Sequence, residues 1–570
     1  MAIGFVTLAV AATVAAGRGA AFADSPFGAA VARVATAGKD DAKGNEVALL
    51  SGGRDALVAR IHLIRHARRS IDVQTFIWTN DEVGRLVMWE LIAAARRGVQ
   101  VRIVADQMFS EQDPDVVAFL ATVSPNLRIK HYRPALARIK PSLADTLVAS
   151  VTSFHGVNQR MHSKVMVFDD AVLITGGRNL ENGYYDQSTG LNYRDRDVLV
   201  VGPVVREAVK EFEAFWSYRH AVASGDLVDV AAAVAAGRFR RYDTRDDYDF
   251  GPWLGALADE ADDAALVMRR FVARLRPVAA ARFISDEPGK ARGWFFGKAA
   301  RITRELKRTI EDAETSVVMQ TPYLVLSNPA RDVIRAMEKK HPALRIRVST
   351  NSLASTDNLI AYSANYRLRN RYVEDLKLEI HEFRPRPAEL AELFPGEPEL
   401  AALARERIAA GRQRRLPFLC IHAKSLVVDD RVAFVGSYNL DPRSESLNTE
   451  VGLLVEDEAF ARELHGEIEA DMRPENSWVI ARRELPLGLD TLNGLIGGLL
   501  SLSPIDIWPI QNTSSFELRP GGRVVPPEDP AFPANYRDVG AFPGMEGEFS
   551  TKEILTRLYK AVGAPLTPIL

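Results

Sequence analysis

The sequence predicts an α/β fold in which a sheet-and-helix domain occurs twice, and three observations support this prediction. Ser70–Asp106 and Ser316–Ser352 share one pattern: a β-branched run that ends in Gln-Thr, a helical apolar period, and a second β-rich run. Each is followed by a second signature, MHSKVMVFDDAVLITGGRN from Met161 and IHAKSLVVDDRVAFVGSYN from Ile421. The two signatures align without a gap at an offset of 260 residues. A long-period duplication sets the architecture, and strands that alternate with helices predict mainly parallel sheets with right-handed crossovers.

The length of the chain, 570 residues, exceeds the size at which a single core stops growing, so two large domains with smaller additions are expected. A charged segment around residues 240–249 and an Ala/Glu/Pro-rich segment at 385–415 are typical of surface helices and loops. After about Glu484 the composition changes to a Pro/Gly-rich stretch without a repeat partner. The predicted segments are 1–23, signal-like or anchor; 46–240, first repeat; 241–295, connector; 296–480, second repeat; and 481–570, C-terminal extension.

The composition restricts the classes of function. The chain is 47% hydrophobic and 26% charged, as in ordinary globular proteins, and its mean hydropathy of -0.09 argues against a polytopic membrane protein. A formal net charge of -2 offers no overall cationic field for nucleic acid. The single cysteine, Cys420, excludes an intrachain disulfide and a multi-cysteine zinc site. No His, Cys and carboxylate cluster has metal-ligand spacing, so no metal or other cofactor is expected.

The N-terminus begins with an apolar run that is too short to span a membrane comfortably and is followed by Ala21-Phe22-Ala23. This pattern resembles a secretory signal and predicts export. The first charge, Arg18, follows the apolar run instead of preceding it, so an uncleaved anchor or a cytoplasmic protein remains an alternative.

Each signature carries a histidine and a lysine two residues apart in an apolar β run: His162 with Lys164, and His422 with Lys424. Side chains at this spacing point to the same face of a strand. A neutral imidazole can attack phosphorus, and an ammonium can neutralise a non-bridging phosphate oxygen in the transition state. The paired signatures therefore predict phosphodiester chemistry at a shared site.

The carboxylates of the signatures fall into two groups. Asp169 and Asp429 stand at odd spacing from their histidines and begin a turn, so a turn or salt-bridge role competes evenly with a catalytic one. Asp197 and Glu450 each precede a later apolar strand, where a carboxylate could orient an imidazole.

Each signature also ends in small and amide side chains. Asn179, Asn439 and Ser437 can donate hydrogen bonds to phosphate oxygens. Gly177 stands where the second repeat has Ser437, which removes one hydroxyl donor, although glycine still offers a backbone N–H at close range.

The motif His-x-Lys-x-x-x-x-Asp, present twice with a trailing Gly-Ser-x-Asn, resembles the phospholipase D superfamily over most of residues 46–480. The stretches NLDPRSESLNTEVGLLVED from Asn439 and TNSLASTDN from Thr350 look like bacterial cardiolipin synthases that lack two N-terminal membrane helices. The resemblance implies that the signatures meet across a pseudo-twofold interface and need no metal. It implies His162 as the nucleophile that becomes a phosphohistidine and His422 as the acid, or the reverse, with the lysines and asparagines holding the phosphate.

The resemblance favours an enzyme that joins two phosphatidylglycerol molecules to give cardiolipin and glycerol. A phospholipase D that hydrolyses phospholipids to phosphatidic acid is the first alternative, and a nuclease or other phosphodiesterase is the second. A non-catalytic lipid-binding descendant is disfavoured because both His-Lys pairs are intact. The implied partners are an anionic phospholipid and the membrane surface, without nucleic acid or an obligate protein partner. The implied location is the bacterial cell envelope, on the periplasmic side if the chain is exported or at the cytoplasmic face otherwise.

Overall fold

The structure is a computed structural model that describes residues 21–35, 43–110, 112–142, 158–290, 300–483 and 512–545. Nearly all of the signal-like segment 1–23 lies outside these residues, as do large parts of the C-terminal extension. In the described residues, no helix is both long and apolar enough to cross a membrane.

Strands and helices follow one another along the described parts of the chain. In chain order, the strands are β1 (Asn45–Leu50), β2 (Ser70–Thr75), β3 (Gln100–Asp106), β4 (Leu127–Tyr132), β5 (Val165–Phe168), β6 (Val172–Gly176), β7 (Leu191–Arg194), β8 (Asp197–Val201), β9 (Ala221–Ala223), β10 (Arg276–Val278), β11 (Ala280–Ser285), β12 (Ser316–Gln320), β13 (Arg345–Asn351), β14 (Glu379–Phe383), β15 (Phe418–Ile421), β16 (Lys424–Val428), β17 (Val432–Gly436), β18 (Val451–Glu456), β19 (Ser477–Arg482), β20 (Thr513–Leu518) and β21 (Tyr536–Gly540). The helices are α1 (Phe27–Ala35), α2 (Gly53–His66), α3 (Glu82–Arg96), α4 (Pro114–Thr122), α5 (Val205–Trp216), α6 (Val228–Ala236), α7 (Gly251–Glu260), α8 (Ala264–Arg270), α9 (Arg301–Glu311), α10 (Asn328–Lys340), α11 (Leu359–Glu374), α12 (Leu390–Leu393), α13 (Glu397–Ala409), α14 (Pro442–Ser446), α15 (Glu458–Met472) and α16 (Phe532–Asn535).

Two large sheets and one small sheet organise these elements. The first sheet has the strand order β10-β1-β8-β6-β5-β2-β3-β4-β9, and the second has the order β11-β18-β17-β16-β12-β13-β14-β19-β20-β21. The small sheet pairs β7 of the first repeat with β15 of the second. The predicted α/β fold of two sheet-and-helix domains is confirmed.

The two predicted strand-helix-strand units are present at the predicted places. β2-α3-β3 and β12-α10-β13 each pair their strands in parallel. The helices begin at side-chain caps, where Asp81 accepts from the Gly84 N–H and Ser327 accepts from the Ala330 N–H. The caps satisfy backbone donors that would otherwise be left without partners at each helix start.

The prediction of mainly parallel sheets is wrong. Parallel pairing is limited to β2-β3-β4 and β12-β13-β14, and the remaining ladders of the two large sheets are antiparallel. The reason lies in the Asp-Asp turns that join β5 to β6 and β16 to β17: a turn this short makes a hairpin, whereas a parallel connection needs a long crossover. The aspartates of both turns adopt φ of 51–54°, in the left-handed region that tight hairpin turns use.

An apolar core between the two repeats positions the motif strands. It combines Val165 and Val167 of β5 with Val427 of β16, and it includes Ala208 of α5 and Leu464 of α15. Because one continuous core contains residues of both β5 and β16, packing fixes the two signatures relative to each other.

Two segment boundaries differ from the predicted ones. β11 lies in the predicted connector 241–295 but forms an edge of the second sheet, paired with β18. β20 and β21 lie in the predicted extension 481–570 and continue the same sheet beyond β19. Residues 385–415 form the surface helices α12 and α13, as the composition indicated.

Candidate active site

His162 lies just before β5 and is held by the second repeat. Its backbone N–H donates to the Thr449 carbonyl at 3.0 Å, and its Nδ1 is 2.8 Å from Glu450 Oε2. The imidazole is buried, and the ring of Phe76 meets it edge-on at a centroid distance of 4.8 Å.

His422 has the reciprocal arrangement. It follows β15, which pairs in parallel with β7, and its N–H donates to the Arg194 carbonyl at 2.9 Å. Its Nδ1 is 2.6 Å from Asp195 Oδ2. Each histidine is therefore oriented by a carboxylate from the other repeat, so neither half of the site is complete within one repeat.

The carboxylate that faces His422 is Asp195 and not Asp197, so the expectation for Asp197 is wrong. The strand register explains the difference: β6 pairs Gly176 with Asp197, while β17 pairs Gly436 with Gly452, which makes Asp195 the counterpart of Glu450. The Asp197 carboxylate is instead buried against two guanidinium groups, at 2.8 Å from Arg60 and 3.3 Å from Arg178.

Burial and the facing groups set the protonation states of the two histidine–carboxylate pairs. Burial lowers the pKa of His162 to about 4 and that of His422 to about 3, against the opposing effect of the facing carboxylates. Burial also raises the pKa of Glu450 and Asp195, but the facing imidazoles and nearby ammonium groups outweigh it and leave both values below the usual range. Neutral imidazoles that donate Nδ1–H to ionised carboxylates keep a lone pair on Nε2.

The two motif lysines are buried beside the histidines. Lys164 Nζ donates to the His162 carbonyl at 2.7 Å, and Lys424 Nζ lies 2.7 and 3.0 Å from the ring nitrogens of His422. Burial lowers the pKa of Lys424 to about 8. Burial and the charge of Lys424 hold the pKa of Lys164 well below its ordinary value. Two desolvated ammonium groups that repel each other form a site for an anion, whose charge would relieve the repulsion.

The motif histidines and lysines were expected inside a strand, but the strands begin later than expected. β5 starts at Val165, after the first pair, and β16 starts at Lys424, after His422. The motif side chains thus stand at strand ends, where a ligand can reach them.

Asn179 and Asn439 differ in which side-chain atom lacks a hydrogen-bond partner among the described residues. Asn179 accepts from the Ile77 N–H at 3.2 Å, and its Nδ2 is buried without a hydrogen-bond partner in the described part of the chain. The side chain of Asn439 hydrogen-bonds Asp441, and its Oδ1 is the atom without a partner among the described residues. A buried N–H without a partner is costly, and a phosphate oxygen would satisfy that of Asn179.

Gly177 and Ser437 act on the orienting carboxylates, which differs from the expected role as phosphate donors. Ser437 Oγ donates to Glu450 Oε2 at 2.5 Å. The Gly177 N–H donates to the Arg196 carbonyl at 3.1 Å, so it is already used. A Cβ atom at Gly177 would come 2.1 Å from Asp195 Oδ1, so glycine leaves the space that Asp195 occupies.

Asp169 and Asp429 hold turns, so of the two roles left open for them the structural one applies and the catalytic one does not. The Asp169 carboxylate accepts backbone N–H groups of Arg68, Arg69 and Ser70 at 2.7–3.2 Å. Asp429 accepts the corresponding N–H groups of residues 314–316 at 2.8 Å. Each aspartate ties its hairpin turn to the start of the adjacent strand, at the opposite end of the motif strand from the lysine.

Several residues that position or surround the histidines have no place in the motif. Asp106 accepts the Met161 N–H at 3.0 Å, and Asn351 accepts the Ile421 N–H at 2.8 Å, so each fixes the residue before a histidine. Both end the second strand of the repeated unit, and this equivalence is a signal that the aligned repeats contain. On the His422 side, the Tyr184 hydroxyl lies 3.4 Å from Nε2. In the described residues, no group of three or more His, Cys, Asp or Glu side chains could hold a metal ion.

The chain matches a known protein family and is similar to several known proteins. A family model described as cardiolipin synthase, PLD-like domain, matches residues 60–216 and 306–472, together more than half of the chain. Cardiolipin synthase C of Escherichia coli is 27% identical over 423 residues, which cover 72% of this chain and 80% of that protein. An uncharacterized protein of Helicobacter pylori is 27% identical over 431 residues, 74% of this chain and 78% of its own. The fold is similar to that of phosphatidylserine synthase from Haemophilus influenzae, with a TM-score of 0.50 at 15% identity over 80% of this chain and 92% of that one.

Proposed function

The chain belongs to the phospholipase D-like family of the cardiolipin synthase domain, and from that premise we propose that it transfers a phosphatidyl group between two phosphatidylglycerol molecules, giving cardiolipin and glycerol. The observation that carries the proposal is the reciprocal pairing of His162 with Glu450 and of His422 with Asp195. Two neutral, oriented imidazoles suit a phosphodiester whose phosphorus is attacked from one side while the alcohol leaves from the other. The two ammonium groups suit the negative charge of its non-bridging oxygens.

In the first step, Nε2 of His162 attacks phosphorus and the P–O bond to the glycerol headgroup breaks. Glu450 holds Nδ1–H and stabilises the positive charge that develops on the ring. Lys164, Lys424 and the Nδ2 of Asn179 neutralise or hydrogen-bond the non-bridging oxygens. The product is a phosphatidyl group bound covalently to His162.

His422 gives a proton to the alcohol that leaves and takes one from the alcohol that enters. The negative charge of the bound phosphate raises its pKa, so that with Asp195 behind it the ring can carry the proton that the leaving alkoxide needs. The next alcohol then loses its proton to the same nitrogen as its oxygen forms the new P–O bond. The surroundings support this assignment, since Phe76 packs on His162 whereas the Tyr184 hydroxyl faces His422.

The second lipid must compete with water for the phosphohistidine. Burial of both histidines and both lysines favours transfer over hydrolysis, because an acceptor held in line in a partly dry site gains several kcal/mol of effective concentration. We expect the enzyme to work at the membrane surface of the bacterial cell envelope, on anionic phospholipid, and to be exported if the N-terminal segment acts as a signal.

The test is incubation of the purified protein with phosphatidylglycerol vesicles, with products read by mass spectrometry. We expect cardiolipin and free glycerol, and excess glycerol should drive the reaction backward. If phosphatidic acid is the sole lipid product across a range of phosphatidylglycerol concentrations, the hydrolase takes the place of the synthase. Cleavage of DNA without lipid turnover would contradict both.

A further inference from the structure

A cluster of tyrosines with one carboxylate, Tyr184, Tyr193, Tyr323 and Asp357, adjoins His422. Tyr184 and Tyr193 stack on each other with centroids 4.2 Å apart, and both meet the His422 ring edge-on at 5.0 and 5.1 Å. Next to them, the Tyr323 hydroxyl donates to both oxygens of Asp357, at 3.0 and 3.1 Å.

Asp357 belongs to the same cluster and lies on the loop that follows β13. The Cys420 thiol, two residues before His422, lies 3.8 Å from its Oδ1. The Tyr193 phenol, whose ring meets His422, also hydrogen-bonds the Asp357 carboxylate, and burial together with that carboxylate raises the pKa of the phenol. The Asp357 side chain is open to solvent, although the protein packed around its carboxylate raises the pKa of that group. A carboxylate has about four lone-pair positions, so it can accept further hydrogen bonds from a ligand.

The Asp357 loop is held in place by the C-terminal extension. Leu353 and Ala354, at the start of the loop, pack with Met545 in one apolar cluster. Phe542 lies against Tyr366 of α11, with ring centroids 4.8 Å apart, and belongs to the same cluster. A loop packed on one side by a separate segment can keep a carboxylate in a fixed place while its outer face stays open.

The first repeat presents different side chains at the equivalent positions. The Gln-Thr pairs that end β2 and β12 place Ile77 at the position of Tyr323. Phe76, beside it, meets the His162 ring and lies under Lys164, whose Nζ is 4.8 Å from the ring centroid. His162 therefore meets the apolar ring of Phe76, whereas His422 meets the rings of two tyrosines, one of which lies beside Asp357.

We propose that Asp357, held by the Tyr323 hydroxyl, binds a second hydroxyl of the alcohol that His422 activates, and so selects polyols over alcohols with one hydroxyl. The inference rests on the proposed function and deepens it by naming the residue that recognises the acceptor. A carboxylate accepts hydrogen bonds from hydroxyls and repels a phosphate, so it draws in the headgroup's hydroxyl end in preference to its phosphate end.

The experiment uses the full chain and a donor whose leaving group has no second hydroxyl, phosphatidyl-p-nitrophenol in vesicles. Glycerol and 1-propanol are supplied together at equal concentration, and phosphatidylglycerol, phosphatidylpropanol and phosphatidic acid are quantified by mass spectrometry. At low conversion, before the phosphatidylglycerol formed reacts again, all three products come from one covalent intermediate, so their ratio does not depend on how much enzyme is folded or on the first step. We expect glycerol transfer to exceed propanol transfer in the wild type, and Asp357→Asn to lower that ratio about tenfold, which is about 1.4 kcal/mol.

Two further variants make the result specific. Tyr323→Phe removes the hydroxyl that orients Asp357 and should lower the ratio in the same direction, by less. Asp332→Asn, a change at an exposed residue of α10, is the matched control and should leave the ratio at the wild-type value.

The outcomes separate this inference from the function on which it rests. If the wild type transfers to both alcohols and the ratio is unchanged in Asp357→Asn, the acceptor role is wrong and the transferase stands. If the wild type makes phosphatidic acid alone, the transferase falls and the acceptor role falls with it. If Asp357→Asn does not fold, the ratio in Tyr323→Phe decides, and an unchanged value there overturns the inference.

Discussion

Replacing Asp195 or Asp197 with asparagine makes the same chemical change at positions two residues apart, yet the structure predicts opposite consequences. The Asp195 carboxylate is fully buried and lies 2.6 Å from His422 Nδ1. A buried hydrogen bond to a charged group contributes about 1.5–3 kcal/mol. When His422 becomes an imidazolium, the attraction between unit charges about 4 Å apart at an effective dielectric of 20 is about 4 kcal/mol. At about 1.4 kcal/mol per tenfold, Asp195→Asn should reduce kcat by roughly 10- to 1000-fold.

Asp197→Asn should act on stability instead. It leaves the guanidinium groups of Arg60 and Arg178, whose side chains are 4% and 1% exposed, without a carboxylate. Removing one partner of a buried ion pair costs about 3–5 kcal/mol, which corresponds to a fall of roughly 10 °C in the thermal midpoint. Asp195→Asn should leave the midpoint within a few degrees of the wild type.

The two variants are compared by lipid turnover at a temperature where both are folded, and by thermal unfolding followed by circular dichroism. The pattern expected is low kcat with a normal midpoint for Asp195→Asn, and a low midpoint with near-normal kcat for Asp197→Asn. The reverse pattern, or a kcat for Asp195→Asn above about a tenth of the wild-type value, would refute the assignment of Asp195 as the residue that orients His422.

Four other predictions follow from the same site. His162→Ala and His422→Ala should each abolish turnover with the fold intact, and the double variant should lose little more, because the two rings act as a unit; a single variant that keeps more than about a tenth of the rate would contradict one shared site. The kcat/KM profile should fall above pH about 8 as Lys424 loses its proton, while kcat should fall only at higher pH because the bound phosphate raises that pKa; coincident alkaline limbs would show that another group titrates. EDTA should leave activity unchanged, since lysines supply the positive charge, and activity lost to EDTA and restored by a divalent ion would overturn this, provided the ion does not merely cluster the lipid. Gly177→Ser should lower kcat because the new Cβ displaces Asp195, and adding Asp195→Glu should restore part of it; a single variant with wild-type kcat would remove steric contact as the reason for the glycine.

The local features of the fold could be predicted because they depend on short-range periodicity. The β2-α3-β3 and β12-α10-β13 units and the spacing of His162, Lys164 and Asn179 repeat within windows of a few tens of residues. The mixed sheets were missed because the strand-helix alternation that predicts parallel pairing stops before each signature. The Asp-Asp turns themselves carry the information that the following strands form hairpins.

The carboxylates of the site are harder to predict because they act across the chain. Asp195 lies 227 residues from His422, and Glu450 lies 288 residues from His162. Nothing local distinguishes Asp195 from Asp197, since both stand where β7 ends and β8 begins. The register of β8 on β6 makes Asp195 the counterpart of Glu450, and the pairing of β7 with β15, which forms only when the two repeats meet, brings it to His422. Asp357 lies in the stretch from Thr350 that resembles cardiolipin synthases, but its role is hard to predict because its neighbours come from three separated segments.

The first signature has Gly177 where the second has Ser437, and the carboxylate of each half-site explains the difference. Glutamate is one methylene longer than aspartate, and Glu450 is tied down by the Ser437 hydroxyl at 2.5 Å. Asp195 is shorter and must approach the strand more closely to reach His422, so its carboxylate fills the space that a side chain at position 177 would need. Gly177 with Asp195 and Ser437 with Glu450 are thus two ways of placing one oxygen beside a histidine Nδ1. The glycine therefore compensates for the length of the carboxylate that orients His422, and the proposed mechanism assigns phosphate binding to the lysines and to the Nδ2 of Asn179.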